Sequence, residues 1–139
     1  MPSGWSTFDH TGDLGLEVWA DSPRELYATA ALALSAQLAR VTEGPAEVEW
    51  TAELEGDDAA DLLVHWLNTA LLESETRHAL WTSAEVTAWS PTRLEARLKG
   101  PRRDRERQEF LREVKAVSHH DLLLELERRP CRCRLILDL

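Results

Sequence analysis

Apolar and polar positions alternate over residues 14–20, with Leu14, Leu16, Val18 and Ala20 on one face, the period of a strand buried on one side. Ser22-Pro23-Arg24-Glu25 then supplies a helix-capping signature with proline at the first helical position. Leu26, Ala30, Leu34 and Leu38 recur at helical spacing after it, predicting a helix to about Ala39. Gly44-Pro45 breaks the chain, and alternation returns over 46–54: Ala46, Val48, Trp50, Ala52 and Leu54 face inward, and Glu47, Glu49, Thr51 and Glu53 face outward. Asp57 and Asp58 suit the N-terminus of a second helix, whose apolar stripe is Leu62, Leu63, Trp66, Leu67, Ala70 and Leu71. Two alternating runs follow, 80–89 (Leu80, Ala84, Val86, Ala88) and 92–99 (Leu94, Ala96, Leu98), joined through Ser90-Pro91 as a hairpin with one buried face. Strand-like segments at about 114–127 and 132–139, with a turn at Glu127-Arg128-Arg129-Pro130, close the chain. This order predicts an α+β fold: one domain over residues 1–139, two helices packed on a mostly antiparallel or mixed sheet.

Between the hairpin and the last strands, residues 101–112 carry Arg102, Arg103, Arg105 and Arg107 among Asp104, Glu106 and Glu109. Mixed signs predict a solvated loop or short helix laced with ion pairs, with a patch contacting a partner or RNA as the other reading. Over the whole chain 16 basic residues face 25 acidic ones, a net charge of −9, which argues against broad nonspecific nucleic-acid binding. The same acidity permits metal binding or docking on a basic partner. No apolar run approaches the roughly 20 residues that span a bilayer, and Met-Pro-Ser-Gly-Trp-Ser lacks the pattern of a signal peptide, so a cytoplasmic protein is expected. Cys131 and Cys133 stand two apart on a strand, too far for a comfortable disulfide. No second Cys/His pair completes a zinc site, so both read as buried, reduced thiols. His65 and His78 read as surface or cap residues. Of six tryptophans, Trp50 and Trp66 fall on inward faces, whereas Trp19, Trp81 and Trp89 have the opposite parity and read as an exposed interface set or as the second face of a two-sided sheet.

Three segments could carry chemistry. Asp9-His10-Thr11-Gly12-Asp13-Leu14-Gly15 packs two carboxylates and an imidazole into a turn between two strands, and carboxylate oxygens suit Ca²⁺, Mg²⁺ or Mn²⁺. The same residues fit a turn in which Asp9 and Asp13 cap local amides and His10 is hydrogen-bonded in the core. Ser118, His119, His120 and Asp121 are consecutive, so on a regular strand their side chains alternate and cannot all converge. No nucleophile elbow accompanies them, which argues against a Ser-His-Asp hydrolase. Asp138 adjoins the α-carboxylate of Leu139 on an apolar strand that reads as docked in a sheet. Glycine-rich nucleotide loops and a P-loop are absent from the sequence.

Together these segments resemble the archease family. Phe8-Asp-His-Thr-Gly-Asp-Leu-Gly15 is similar to the family's Asp-His-Thr-Ala-Asp pattern. Val114-Lys-Ala-Val-Ser-His-His-Asp-Leu122 is similar to its Val-Lys-Ala-Val-Thr-Tyr-His-Asp, and Leu137-Asp138-Leu139 to its chain end. The resemblance implies a non-catalytic protein cofactor of the RtcB-type RNA ligase, which joins a 2′,3′-cyclic phosphate or 3′-phosphate end to a 5′-hydroxyl using GTP and Mn²⁺. It implies promotion of ligase guanylylation and multiple turnover in tRNA splicing and RNA repair, without stable nucleic-acid binding of its own. It also implies a divalent ion, calcium, held by Asp13, Asp138 and the main-chain carboxylate of Leu139. Gly12 departs from the family's alanine and should loosen the turn; His119 replaces its tyrosine, so no role of that hydroxyl carries over. Two further readings stay open: a chaperone-like modulator of an RNA-modifying enzyme, and a small metal-dependent phosphoester hydrolase with His10 or His120 as general base.

Overall fold

The computed structural model describes residues 2–41 and 44–139; Met1, with which the reading of the amino terminus begins, lies outside them. The elements are β1 (Gly4–His10), β2 (Asp13–Ala20), α1 (Pro23–Leu38), β3 (Ala39–Val41), β4 (Val48–Glu55), α2 (Ala59–Thr76), β5 (Ser83–Ser90), β6 (Arg93–Gly100), β7 (Gln108–Phe110), β8 (Ala116–Glu125) and β9 (Cys131–Asp138). The expected α+β fold is found, its strands divided among three antiparallel sheets ordered β1-β2-β9-β8, β4-β6-β5 and β3-β7.

Both helices begin where their caps place them. Ser22 Oγ accepts from the Glu25 amide at 3.2 Å, and Asp58 Oδ1 from the Asp61 amide at 2.8 Å. α1 packs on β2 of the larger sheet and β5 of the smaller one, and α2 packs on β8 and β4 in the same way. Each helix thus spans both sheets. Burial almost all round explains why α1 carries alanines and few large side chains on most of its faces, and its polar residues are satisfied: Ser35 Oγ accepts from the Trp81 amide at 2.9 Å, and Gln37 Nε2 donates to the Ala33 carbonyl at 3.0 Å. Trp66 stacks on Trp50 with ring centroids 6.0 Å apart and donates to the Tyr27 carbonyl at 2.9 Å, tying α2 to β4 and α1.

Three expectations change. Trp81 is buried, its indole N–H 2.9 Å from the Ala70 carbonyl. A bulge between Val86 and Ala88 pairs Trp89 with inward-facing Leu94, so its ring meets Tyr27 edge-on at 5.5 Å. Trp19 is half-buried over Gly4, so no exposed set forms from Trp19, Trp81 and Trp89; the exposed indole is Trp5, at 40 %. Ala46 is exposed ahead of β4, and Leu80, though buried, precedes β5. The polar excursion contains β7, which pairs with β3. Neither helix has a basic residue in its last turn, and the excursion supplies the missing cations. Arg103 donates to Ser74 Oγ at 2.9 Å and the Ala79 carbonyl at 3.3 Å near the end of α2, and Arg112 to the Gln37 carbonyl at 2.8 Å at the end of α1. Cations there complement the negative ends of the helix dipoles. Arg102 pairs with Glu47 and Arg107 with Asp104, and the Arg105 guanidinium lies 5.3 Å from the centre of the Phe110 ring. His65 and His78 are exposed as expected, and His78 closes α2 with φ 52°.

Cys131 and Cys133 are free and buried, and burial followed by the Glu17 charge pushes the Cys133 thiol up to about 12. At pH 8 the folded protein should react with a small thiol reagent about a hundredfold or more slower at Cys133 than the urea-unfolded chain does; equal rates would mean that the strand is open. The folded thiol lies above its unfolded value, so its stabilising contribution is complete below about pH 8.5 and is lost as the pH rises toward 12.

Candidate metal centre at the sheet end

β1 and β2 are joined by Thr11-Gly12, where Gly12 takes φ +75°, the left-handed region that glycine occupies without steric cost. The turn closes on the pair His10–Asp13. β2 pairs with β9 down to Leu14–Leu137, and β9 pairs with β8 through Asp138–Ala116. Continuing the β2–β9 register one step sets Asp13 opposite Asp138, and one step more sets Leu139 opposite Gly12. Directly opposed side chains on an antiparallel pair share a face, with β-carbons about 5 Å apart. One row across the larger sheet therefore reads His10, Asp13, Asp138, Ala116, on the face away from the helices. The first and last acidic segments of the chain meet there.

Asp9 does not join them. It pairs with Leu14 and so has the opposite parity to Asp13. Neither carboxylate accepts a hydrogen bond from a turn amide among the described residues, which leaves the capping version of this turn without support. Asp13 instead lies 3.8 Å from His10 Nδ1, an atom that is buried and has no hydrogen-bond partner among the described residues.

The second segment departs from strand alternation. Between Ser118 and Leu123 the β8–β9 register jumps, so His119, His120, Asp121 and Leu122 bulge from the ladder, with Asp121 at φ 55°. Ser118 Oγ accepts from the His120 amide at 2.9 Å within this bulge. As expected they do not all converge, but the bulge lets two of them meet. Asp121 Oδ2 lies 3.2 Å from His120 Nε2 and 3.6 Å from His10 Nε2, while His119 turns toward Asp61 at 3.8 Å. A chain of groups, Asp13, His10, Asp121, His120, so runs from β2 across β1 to the bulge. Sequence reasoning missed its middle link, His10–Asp121, which exists only because β8 bulges between Ser118 and Leu123.

Among the described residues no three His, Cys, Asp or Glu side chains converge closely enough to hold a metal by themselves. Asp13 and Asp138 place two carboxylates on one row, hard oxygen donors of the kind a divalent cation takes. Ser118 Oγ accepts from the His120 amide, and among the described residues it makes no hydrogen bond to an imidazole. None of the described helices is long and apolar enough to cross a membrane.

Residues 5–139 match the family model described as the Archease protein family (MTH1598/TM1083). Curated relatives named "Protein archease" include one from Methanopyrus kandleri, 32% identical over 126 residues that cover 88% of this chain and 90% of that one, and one from Pyrococcus abyssi, 28% identical over 124 residues, 87% of each chain. The solution structure of Methanobacterium thermoautotrophicum protein 1598 superposes with a TM-score of 0.79 at 26% identity, covering 98% of this chain and 99% of that one. The sequence motifs, the element order and these matches agree: the chain belongs to the archease family.

Proposed function

We propose that this protein is a non-catalytic activator of an RtcB-type RNA ligase, promoting ligase guanylylation and restoring multiple turnover. The observation that carries the reading is the row His10–Asp13–Asp138, which brings the two acidic ends together at one tip of the sheet. Asp13, Asp138 and the Leu139 carboxylate would hold a divalent cation, calcium by the family resemblance, with which an all-oxygen donor set agrees. Bound there, the ion would offset most of the negative charge of these carboxylates at the tip of a chain whose net charge is −9. The protein's own residues do the remaining work. The β1–β2 hairpin projects the tip as a narrow end able to enter a cleft, and His10 backs Asp13 from the neighbouring strand. In guanylyl transfer the phosphates are organised by metal ions, so a carboxylate-bearing tip that alters ion or phosphate placement in the ligase can accelerate a step for which this chain has no nucleotide motif.

The test is multiple-turnover ligation of a cyclic-phosphate RNA by the cognate ligase, with and without this protein. Products well beyond one per ligase molecule only in its presence are expected. No acceleration of a ligase competent for a single turnover overturns the reading, and phosphoester turnover without the ligase would favour the hydrolase with His10 or His120 as base.

A further inference from the structure

Beside the tip, on the same face, lies a cavity of about 360 Å³ shared by β1, the β8 bulge and β9, with His10 and Asp121 at one end and Phe8, Leu123, Arg134 and Ile136 along it. Gly15 stands opposite Phe8 on β2, and a β-carbon at Gly15 would lie 2.1 Å from the Phe8 ring. The missing side chain is what allows the ring to lie flat on the sheet, at the cost of a glycine inside a strand. The Arg134 guanidinium sits 4.1 Å from the centre of that ring. Glu17 is directly across from Arg134 on β2, but its carboxylate is taken by Arg132 at 3.3 Å, which also holds Glu125 at 3.0 Å. Arg134 therefore has no carboxylate partner among the described residues, in a chain with 25 acidic residues for 16 basic ones. The cavity's own carboxylate, Asp121, already has His10 and His120 beside it.

We infer that Arg134, held over Phe8 in the lining of this cavity, is an anchor for the phosphate of a nucleotide. A planar guanidinium held by stacking presents its N–H fork outward with little ordering left to lose, the arrangement suited to bidentate phosphate contact. The apolar walls from Phe8, Leu123 and Ile136 suit the sugar and base edge behind that phosphate, and the volume matches a small ligand. The proposal rests on the ligase reading for the source of the nucleotide, either the RNA end or the guanine nucleotide in the ligase cleft, and on this chain alone for its chemistry. Contact with a phosphate at Arg134 would also orient the tip, because His10 belongs to both the cavity and the Asp13 row.

The test is an NMR titration of the full chain, following the Arg134 side-chain N–H and the Phe8 ring. The probes are a 3′-phosphorylated RNA dinucleotide and, separately, GTP. Saturable shifts of both groups with one of the probes are expected, weakened at least tenfold by Arg134→Gln and less by Arg134→Lys, with the amide spectrum otherwise native. The responding probe identifies the source. Unmoved resonances at millimolar concentrations of both, equal affinity in Arg134→Gln, or tighter binding of an acetylated aspartyl peptide would each overturn the proposal. Saturable shifts with no effect of the protein on ligation would remove the ligase reading and leave this site standing.

Discussion

Replacing Asp13 or Asp138 by alanine should reduce calcium affinity by about a hundredfold or more and abolish ligase activation without unfolding the protein. Losing a group one shell outside a metal commonly lowers affinity roughly 10–100-fold, and losing a ligand should do at least as much. The fold should tolerate both changes. Asp13 is about one-third exposed and its recorded contact is the 3.8 Å approach to His10, while Asp138 is tied to the sheet through its main-chain carbonyl, which accepts from the Lys115 amide at 2.8 Å and survives the substitution. Without an ion, three carboxylates in neighbouring positions repel one another. Each variant should therefore melt in EDTA at the native temperature or slightly above it. The native protein should gain stability with calcium, by about 2.7 kcal/mol when the ion is at a hundred times its dissociation constant, and the variants should gain little. Calorimetric titration and paired thermal melts test this without any ligase. If both variants bind calcium like the native chain, the ion is held elsewhere and the carried-over set is wrong.

The meeting of the two acidic ends was implied by the family resemblance; alternation showed that Asp13 precedes one strand and Asp138 ends another, but which strands pair, here β2 with β9, is a long-range choice that parity does not decide. The caps at Ser22 and Asp58 were legible directly, since capping is decided within four residues. Bulges hid the rest. One inserted residue at Val86/Ala88 reversed the face assigned to Trp89, and the longer insertion between Ser118 and Leu123 let His10, Asp121 and His120 meet where a regular strand would have kept them apart. The arginines of residues 101–112 were read by their neighbours in sequence, whereas Arg103 and Arg112 act on helix ends 24 to 75 positions away. Local charge pattern carries no information about such distances.

Gly100→Ala should destabilise the protein by about 3–5 kcal/mol, the scale of severe overpacking against atoms that cannot move. A β-carbon at Gly100 would stand 1.7 Å from the Leu80 carbonyl oxygen and 2.7 Å from its carbon, both backbone atoms. That segment cannot retreat. It is fastened on each side of the contact, Leu80 N–H to the Pro101 carbonyl at 3.1 Å and Thr82 N–H to the Lys99 carbonyl at 2.9 Å, and Trp81 between them is locked by its indole bond to Ala70. Relief would require breaking this crossing or lifting Leu80, Trp81 and Leu98 from the core that both sheets share. Gly15→Ala, with the rotatable Phe8 ring as its obstacle, should cost less to the fold and fall mainly on the Arg134 contact. Gly44→Ala is the control: nothing lies within 4 Å of its β-carbon position, and its unfolding free energy should stay within about 0.5 kcal/mol of native. Urea titration of the three variants gives the order directly, and a native midpoint for Gly100→Ala would show that the 79–82 crossing is looser than its hydrogen bonds imply. The crossing lies apart from the acidic tip, so the Gly100 variant that remains folded should bind calcium with native affinity, separating loss of fold from loss of site.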